Sequence, residues 1–385
     1  MTSSSRIDDI QPFHVMELLA RAKELEVQGK DIIHMEIGEP DFPTPQPIVD
    51  AGIKAISQGH VHYTAAVGLL ELREKISAFY QKQYQVEVNA NRIVITPGAS
   101  GALMLALGVV MQEGDEVLLA DPGYPCNTNF VRFLSGKSKA IAVDASSGFQ
   151  LNLKHLKDNW SDKTKAVIVA SPSNPTGTIL KQEELVAMAS FVKQRGAYLI
   201  VDEIYHGLVY DEKINTALAA DENIIVINSF SKYFNMTGWR LGWLVAPEAL
   251  ISNMDKLAQN VFIAASTTAQ YAALAAFEPE TIALLEKYKN EFKQRRDFLI
   301  PELKKLGFKI EVEPQGAFYV YANCEKFTKD SYQFAYGLLE NIGVAITPGK
   351  DFGDNKEKLF VRFAYTTSIE NLKEAIGRLS NYLKI

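Results

Sequence analysis

Ala197-Tyr198-Leu199-Ile200-Val201-Asp202-Glu203-Ile204-Tyr205 runs apolar through Val201 and then turns abruptly polar. A short unbroken apolar run of this kind fits a strand buried on both faces. Six more runs share the form: Arg92 to Thr96, Glu116 to Ala120, Lys139 to Val143, Lys165 to Ala170, Asn223 to Ser229 and Leu241 to Ala246. Amphipathic stretches lie between them, among them Ala99 to Met111 and Gln182 to Arg195, with apolar positions at three- and four-residue intervals. Repeated strand, helix, strand predicts an α/β fold with a mostly parallel seven-stranded sheet sandwiched by helices.

After Pro247 the pattern changes to two long helical segments, Glu248 to Ala276 and Thr281 to Leu306. A smaller α+β unit follows, read from Gly316 to Tyr321, Asp330 to Ile342, Lys358 to Phe363 and Ile369 to Leu383. The expected organisation is an N-terminal segment over 1–47 that packs with the small domain, a large domain over 48–280 and a small C-terminal domain over 281–385. Pro40, Pro43, Pro45 and Pro47 predict an extended connector before the large domain.

The 385 residues are 47% hydrophobic and 22% charged, enough for a sizeable core. Forty basic against 46 acidic residues leave a net charge of -6, which argues against a nucleic-acid partner. Only Cys126 and Cys324 are present, so a disulfide framework is excluded and a reducing cytoplasm is expected. Met1 to Gln11 lacks a secretory pattern, and no apolar run is long enough to cross a bilayer. His60 and His62 lack a third ligand, so no metal is expected; His206 is expected to pack beside Tyr205, and Cys126 to be a buried inert thiol.

In open parallel sheets ligands bind beyond the carboxyl ends of the strands, and here those positions are polar. Thr96-Pro97-Gly98-Ala99-Ser100-Gly101 is either an anion seat at a helix N-terminus or a plain tight turn; it matches neither GxGxxG nor the phosphate-loop pattern. Asp202 is either a cap or the partner of a buried cation, and Tyr205 could aim its hydroxyl at the same ligand. Lys232, in Ser229-Phe230-Ser231-Lys232, follows an apolar strand, so its amine should enter a partly enclosed site; burial of that kind can turn lysine into a nucleophile.

Together these pieces resemble the pyridoxal-phosphate-dependent aminotransferases of the aspartate aminotransferase type, class I/II, with the transferase fold of type I. The resemblance spans Gly38-Glu39-Pro40-Asp41-Phe42, Tyr63-Thr64, Ser173-Asn174-Pro175-Thr176-Gly177, Asp202 to Tyr205, Ser229 to Lys232, Arg240 and Val361-Arg362-Phe363, in that order. It implies that Lys232 holds pyridoxal 5'-phosphate as an internal aldimine and later serves as base and acid, and that Asp202 pairs with the ring nitrogen. By the same resemblance Tyr205 and Asn174 bond the ring oxygen, and Tyr124 stacks on the ring. Ala99, Ser100, Ser229, Ser231 and Arg240 would take the phosphate, with Tyr63 reaching the phosphate of the other subunit of a homodimer with shared sites. Arg362, helped by Gly38 and Asn174, would hold the substrate's α-carboxylate.

The implied activity is ping-pong transamination between an L-amino acid and a 2-oxo acid. In the bacterial aspartate-specific branch a lysine stands where this chain has Ser100, and Phe13 is either the mark of an apolar side-chain pocket or an ordinary core anchor. The expected donor is therefore a neutral amino acid such as alanine, with an aromatic or sulfur-containing donor as a further option and 2-oxoglutarate as acceptor. The alternatives are a β-eliminating lyase and a non-enzymatic cofactor-binding regulator.

Overall fold

The computed structural model describes residues 7, 8, 10 and 12–385. Eleven strands are present among them: β1 (Ile33–Met35), β2 (Ile93–Thr96), β3 (Glu116–Asp121), β4 (Lys137–Ala142), β5 (Thr164–Ala170), β6 (Tyr198–Asp202), β7 (Ile225–Ser229), β8 (Gly242–Val245), β9 (Tyr319–Asn323), β10 (Val344–Pro348) and β11 (Phe360–Ala364). Seven form one sheet in the order β2-β8-β7-β6-β5-β3-β4. Only β8 runs antiparallel to its neighbours, as the mostly parallel expectation requires. All five residues of β7 are buried, which explains why its sequence shows no polar alternation.

Four helices bear most directly on the site: α1 (His14–Val27), α2 (Gln46–Ser57), α3 (Leu70–Tyr84) and α4 (Gly98–Val110). Helix α4 packs on β7 and β8 on one side and on the helix Glu248–Val261 on the other. Covered in this way it carries almost no polar side chains, burying Ala102, Leu103, Leu105, Ala106 and Leu107.

The remaining strands form a second sheet, β1-β10-β11-β9. β1 runs parallel to β10 with Ile33 opposite Val344, so residues near the N-terminus complete a sheet built otherwise from the C-terminal third. Helix α1 has no side-chain cap at Phe13; the Asp351 carboxylate instead accepts from the His14 and Val15 N–H groups at 2.8 and 2.7 Å. No helix among the described residues is long and apolar enough to cross a membrane.

Several expectations are corrected. The segment Glu248 to Ala276 is two helices, Glu248–Val261 and Thr267–Ala273, separated where Ile263 adopts φ +67 and Ser266 caps the second by accepting from Ala269 N–H. The strand expected over 316–321 begins at Tyr319, because Ala317 sits at φ +58. β1 and β10 are strands that no local pattern signals: β1, three residues long, pairs with β10 alone, and β10 lies between β1 and β11. The proline connector is shorter than expected, since Pro47 already lies in the first turn of α2, where no N–H partner is lost.

Candidate active site

β6 and β7 lie side by side, and their carboxyl ends present Asp202 and Ser229 to the same edge of the sheet. The buried Asp202 carboxylate accepts one backbone hydrogen bond, from Ile204 N–H at 3.0 Å. Burial pushes its pKa up to about 6, against that hydrogen bond and the nearby Lys232 charge, which both lower it. Three residues beyond β7, Lys232 donates from Nζ to the Gly38 carbonyl at 2.6 Å. Burial brings its pKa down to about 8; Glu39 and Asp202 oppose that shift, while Arg362 and Arg240 add to it. The amine can therefore lose its proton far more readily than a surface lysine.

The loop after β2 is not a plain tight turn, because α4 begins directly at Gly98 with no side chain capping it. Gly98 adopts φ +69, and a Cβ there would stand 2.7 Å from Arg240 Nη2. Arg240 itself has φ +54 and donates from Nη1 to the Thr237 carbonyl at 2.9 Å. Ser229 Oγ donates to Ser231 Oγ at 3.0 Å and also receives the Ser231 N–H at 3.0 Å. Helix N–H groups that include those of Ala99 and Ser100 thus converge with a guanidinium and two hydroxyls, an arrangement suited to a doubly charged oxyanion.

Arg362, on β11, points into the other side of the site and is 3% exposed. Its Nη1 donates to Asn174 Oδ1 at 2.8 Å, and its Nη2 donates to the Glu36 carbonyl at 2.5 Å and to Thr347 Oγ1 at 3.1 Å. Among the described residues it has no ion pair, and its Nε is buried without a hydrogen-bond partner. A guanidinium held by neutral groups alone is poised for an anion from outside the chain. The Tyr205 hydroxyl lies 2.8 Å from that of Tyr319. Tyr124 meets Phe13 edge-on at 6.3 Å on the wall of a cavity of about 650 Å³ that also reaches Asn174 and Asp351.

The chain therefore gathers Lys232, Asp202, Tyr205, Asn174, Gly38 and Arg362 around one region, with the α4 N-terminus against Arg240 and the bonded Ser229–Ser231 pair beside it. Tyr63, 81% exposed, stays outside this buried cluster within one chain, and Ser100 is exposed at the rim. Sequence reasoning missed Tyr319, Thr347 and Glu36. The first two sit in apolar strands with no motif around them, and Glu36 takes part through its backbone carbonyl, which no side-chain pattern marks.

His206 packs edge-on against Tyr84 rather than Tyr205 and lies 3.7 Å from Glu203, buried from solvent. Cys126 is a free thiol only partly buried, although desolvation still raises its pKa. His60 stacks on Tyr271, and among the described residues no group of three or more metal-ligating side chains occurs.

The family model described as aminotransferase class I and II matches residues 30–379. A (5-formylfuran-3-yl)methyl phosphate transaminase of Methanocaldococcus jannaschii is 44% identical over 383 residues, covering 99% of both chains. A valine–pyruvate aminotransferase of Mycobacterium tuberculosis is 37% identical over 97% of both, and an aspartate aminotransferase of Thermotoga maritima 37% over 99% of both. Among solved structures, an aminotransferase from Mycobacterium tuberculosis superposes with a TM-score of 0.97 at 36% identity, covering 100% of this chain and 99% of that one. Thermus thermophilus aspartate aminotransferase with maleate gives 0.93 at 32% identity, covering 99% of each.

Proposed function

The chain belongs to the class I and II aminotransferases, enzymes that depend on pyridoxal 5'-phosphate, and from that membership we propose that it carries an amino group from a neutral L-amino acid such as alanine to a 2-oxo acid, with 2-oxoglutarate as acceptor. The residues present fit the cofactor. Asp202 is a buried carboxylate whose one hydrogen bond comes from the backbone, so a cationic ring nitrogen would relieve its desolvation. The missing Cβ at Gly98 leaves Arg240 and the α4 N-terminus open to a phosphate.

Bound there, the cofactor supplies a cationic ring that accepts electron density from the substrate's α-carbon. Ala99, Ser100, Ser229, Ser231 and Arg240 would hold its phosphate, Tyr124 would lie against its ring, and Tyr205 and Asn174 would donate to its ring oxygen. Arg362, with Asn174 and Gly38, holds the α-carboxylate and so sets the direction of the Cα–H bond, which selects proton removal over loss of another group. Lys232 Nζ would take up that proton and later give it back, a role open to an amine whose pKa burial brings down to about 8.

The observation that carries this reading is the buried, carboxylate-free Arg362 guanidinium in the same site as a buried acid and a buried amine. A neutral donor is supported by the Phe13–Tyr124 edge, by the absence of a lysine at Ser100, and by the valine–pyruvate relative. The homodimer with shared sites is supported by Tyr63, exposed beside the exposed apolar Val61. We place the chain's divisions at 1–47, 48–280 and 281–385, with β1 joining the small sheet, and its setting in a reducing cytoplasm, where two free thiols are at home.

The test is a panel of amino donors against 2-oxoglutarate and pyruvate, with product analysis. Formation of a 2-oxo acid that requires an added oxo acid is expected, fastest with neutral donors. Acceptor-independent release of pyruvate and ammonia would instead establish elimination.

A further inference from the structure

Tyr319 has no part in the reading above, yet its hydroxyl meets the cofactor side of the site and its ring meets the substrate side. Its Oη lies 2.8 Å from Tyr205 Oη, and the Arg362 guanidinium carbon stands 4.2 Å from its ring centroid. The side chain is 1% exposed. Its place is fixed by the β9–β11 ladder, in which Tyr319 pairs with Ala364, and by edge-on contacts with Phe318 and Tyr205. It is fixed also by Gly38, where a Cβ would come within 1.9 Å of the Tyr319 hydroxyl. Gly38 is the residue whose carbonyl receives the Lys232 amine, so its missing side chain makes room for Tyr319 beside that amine.

We propose that Tyr319 is a positioning residue that links the two halves of the site: its hydroxyl donates to Tyr205 Oη, turning the Tyr205 proton toward the cofactor's ring oxygen, while its ring face holds the Arg362 guanidinium in place for the substrate carboxylate. The inference rests on the proposed roles of Tyr205 and Arg362. Its direction follows from proton counting. Each phenol has one proton, so within the pair one hydroxyl donates and the other accepts. Tyr205 can donate to the ring oxygen only if Tyr319 is the donor within the pair, and a phenol that accepts one hydrogen bond donates a second more strongly. Burial raises the pKa of both phenols, which keeps both protons in place. On the other side, an aromatic face within about 6 Å attracts a guanidinium and leaves its N–H edge free for in-plane bonds; Nη1 and Nη2 use that edge on Asn174, Glu36 and Thr347.

The test uses holoenzyme carrying Tyr319→Phe, Tyr319→Leu, Tyr205→Phe or the double substitution Tyr205→Phe/Tyr319→Phe. A weaker donor at Tyr205 leaves more negative charge on the ring oxygen, which favours protonation of the adjacent nitrogen. In Tyr319→Phe the pH midpoint of the visible cofactor band should therefore rise by about half a unit, roughly threefold in proton affinity. Binding of 2-methylalanine, which has no α-proton to lose, should be unchanged in this variant because the ring remains. Tyr319→Leu should show the same midpoint shift and bind 2-methylalanine several-fold more weakly. In the Tyr205→Phe background, Tyr319→Phe should shift the midpoint no further. A Tyr319→Phe midpoint equal to wild type, an equal shift in both backgrounds, or undiminished 2-methylalanine binding by Tyr319→Leu would overturn the inference while leaving the proposed function intact. A wild-type protein that forms no visible band with the cofactor would overturn the function itself, and the inference with it.

Discussion

Replacing Arg362 by alanine tests the substrate seat most directly. The wild-type guanidinium has no carboxylate partner among the described residues and leaves Nε without an acceptor, so an incoming carboxylate would take charge-assisted bonds the chain does not already satisfy. Two such bonds are worth about 1.5–3 kcal/mol each, and their loss should lower kcat/KM for the amino acid by roughly 10²- to 10⁴-fold. Arg362→Lys keeps the charge but not the fork, and should recover only part of the loss. Stability should change little, because the substitution removes a buried charge without a counter-ion and the Glu36 carbonyl keeps its bond from Thr347 Oγ1 at 2.9 Å. The assay is rapid mixing of holoenzyme with amino acid while the visible cofactor band is followed, with a simple primary amine as control. The amine lacks a carboxylate, so its rate should be the same in wild type and variant. If Arg362→Ala consumes amino acids within about fivefold of wild type, the carboxylate sits elsewhere and the reasoning fails.

Three other outcomes are expected. Lys232→Ala should abolish turnover and borohydride fixation of the cofactor, which can still be retained through its phosphate; peptide mapping that found the fixed cofactor on another lysine would refute the assignment. Gly98→Ala should weaken cofactor binding by about tenfold, the worth of one charge-assisted bond, because its Cβ displaces Arg240 Nη2; fluorescence titration of the apo-protein reads this directly, and unchanged affinity would show that the seat lies elsewhere. Glu203 is pushed by burial from 4.5 to about 8, against bonds from Ala217 N–H and Thr216 Oγ1. The folded chain thus holds a proton that the unfolded chain releases above 4.5, so stability falls as pH rises through that window, by up to about 1.4 kcal/mol per unit from this group. Glu203→Gln should flatten that slope in melting experiments between these pH values, and parallel slopes for the two proteins would contradict the assignment.

Much of the architecture was legible because it depends on local chemistry. The continuous apolar runs at β5, β6 and β7 are what burial on both sheet faces demands, and the small residues around Gly98 mark a helix start whatever follows. Where pairing rather than local pattern decides, the sequence is silent: β1 is a strand because it adds to the edge of β10, some three hundred positions away, and β10 because it bridges β1 and β11. The break after Val261 likewise depends on a left-handed turn at Ile263, a residue that carries no turn signal.

The site divides along the same line. A strand's end marked Asp202 and an enclosed amine after an apolar strand marked Lys232, whereas Arg240 and Arg362 stood out only through the family resemblance. Folding alone decided their electrostatics and their supports. Asp202 and Lys232 shift toward neutrality because packing removes water from them, and Arg362 is held by Glu36, Thr347 and Asn174 from three distant segments. Desolvation and cross-strand contact are properties of three-dimensional neighbourhood, so Tyr319, placed between Tyr205 and Arg362, could be recognised only once the two sheets stood together.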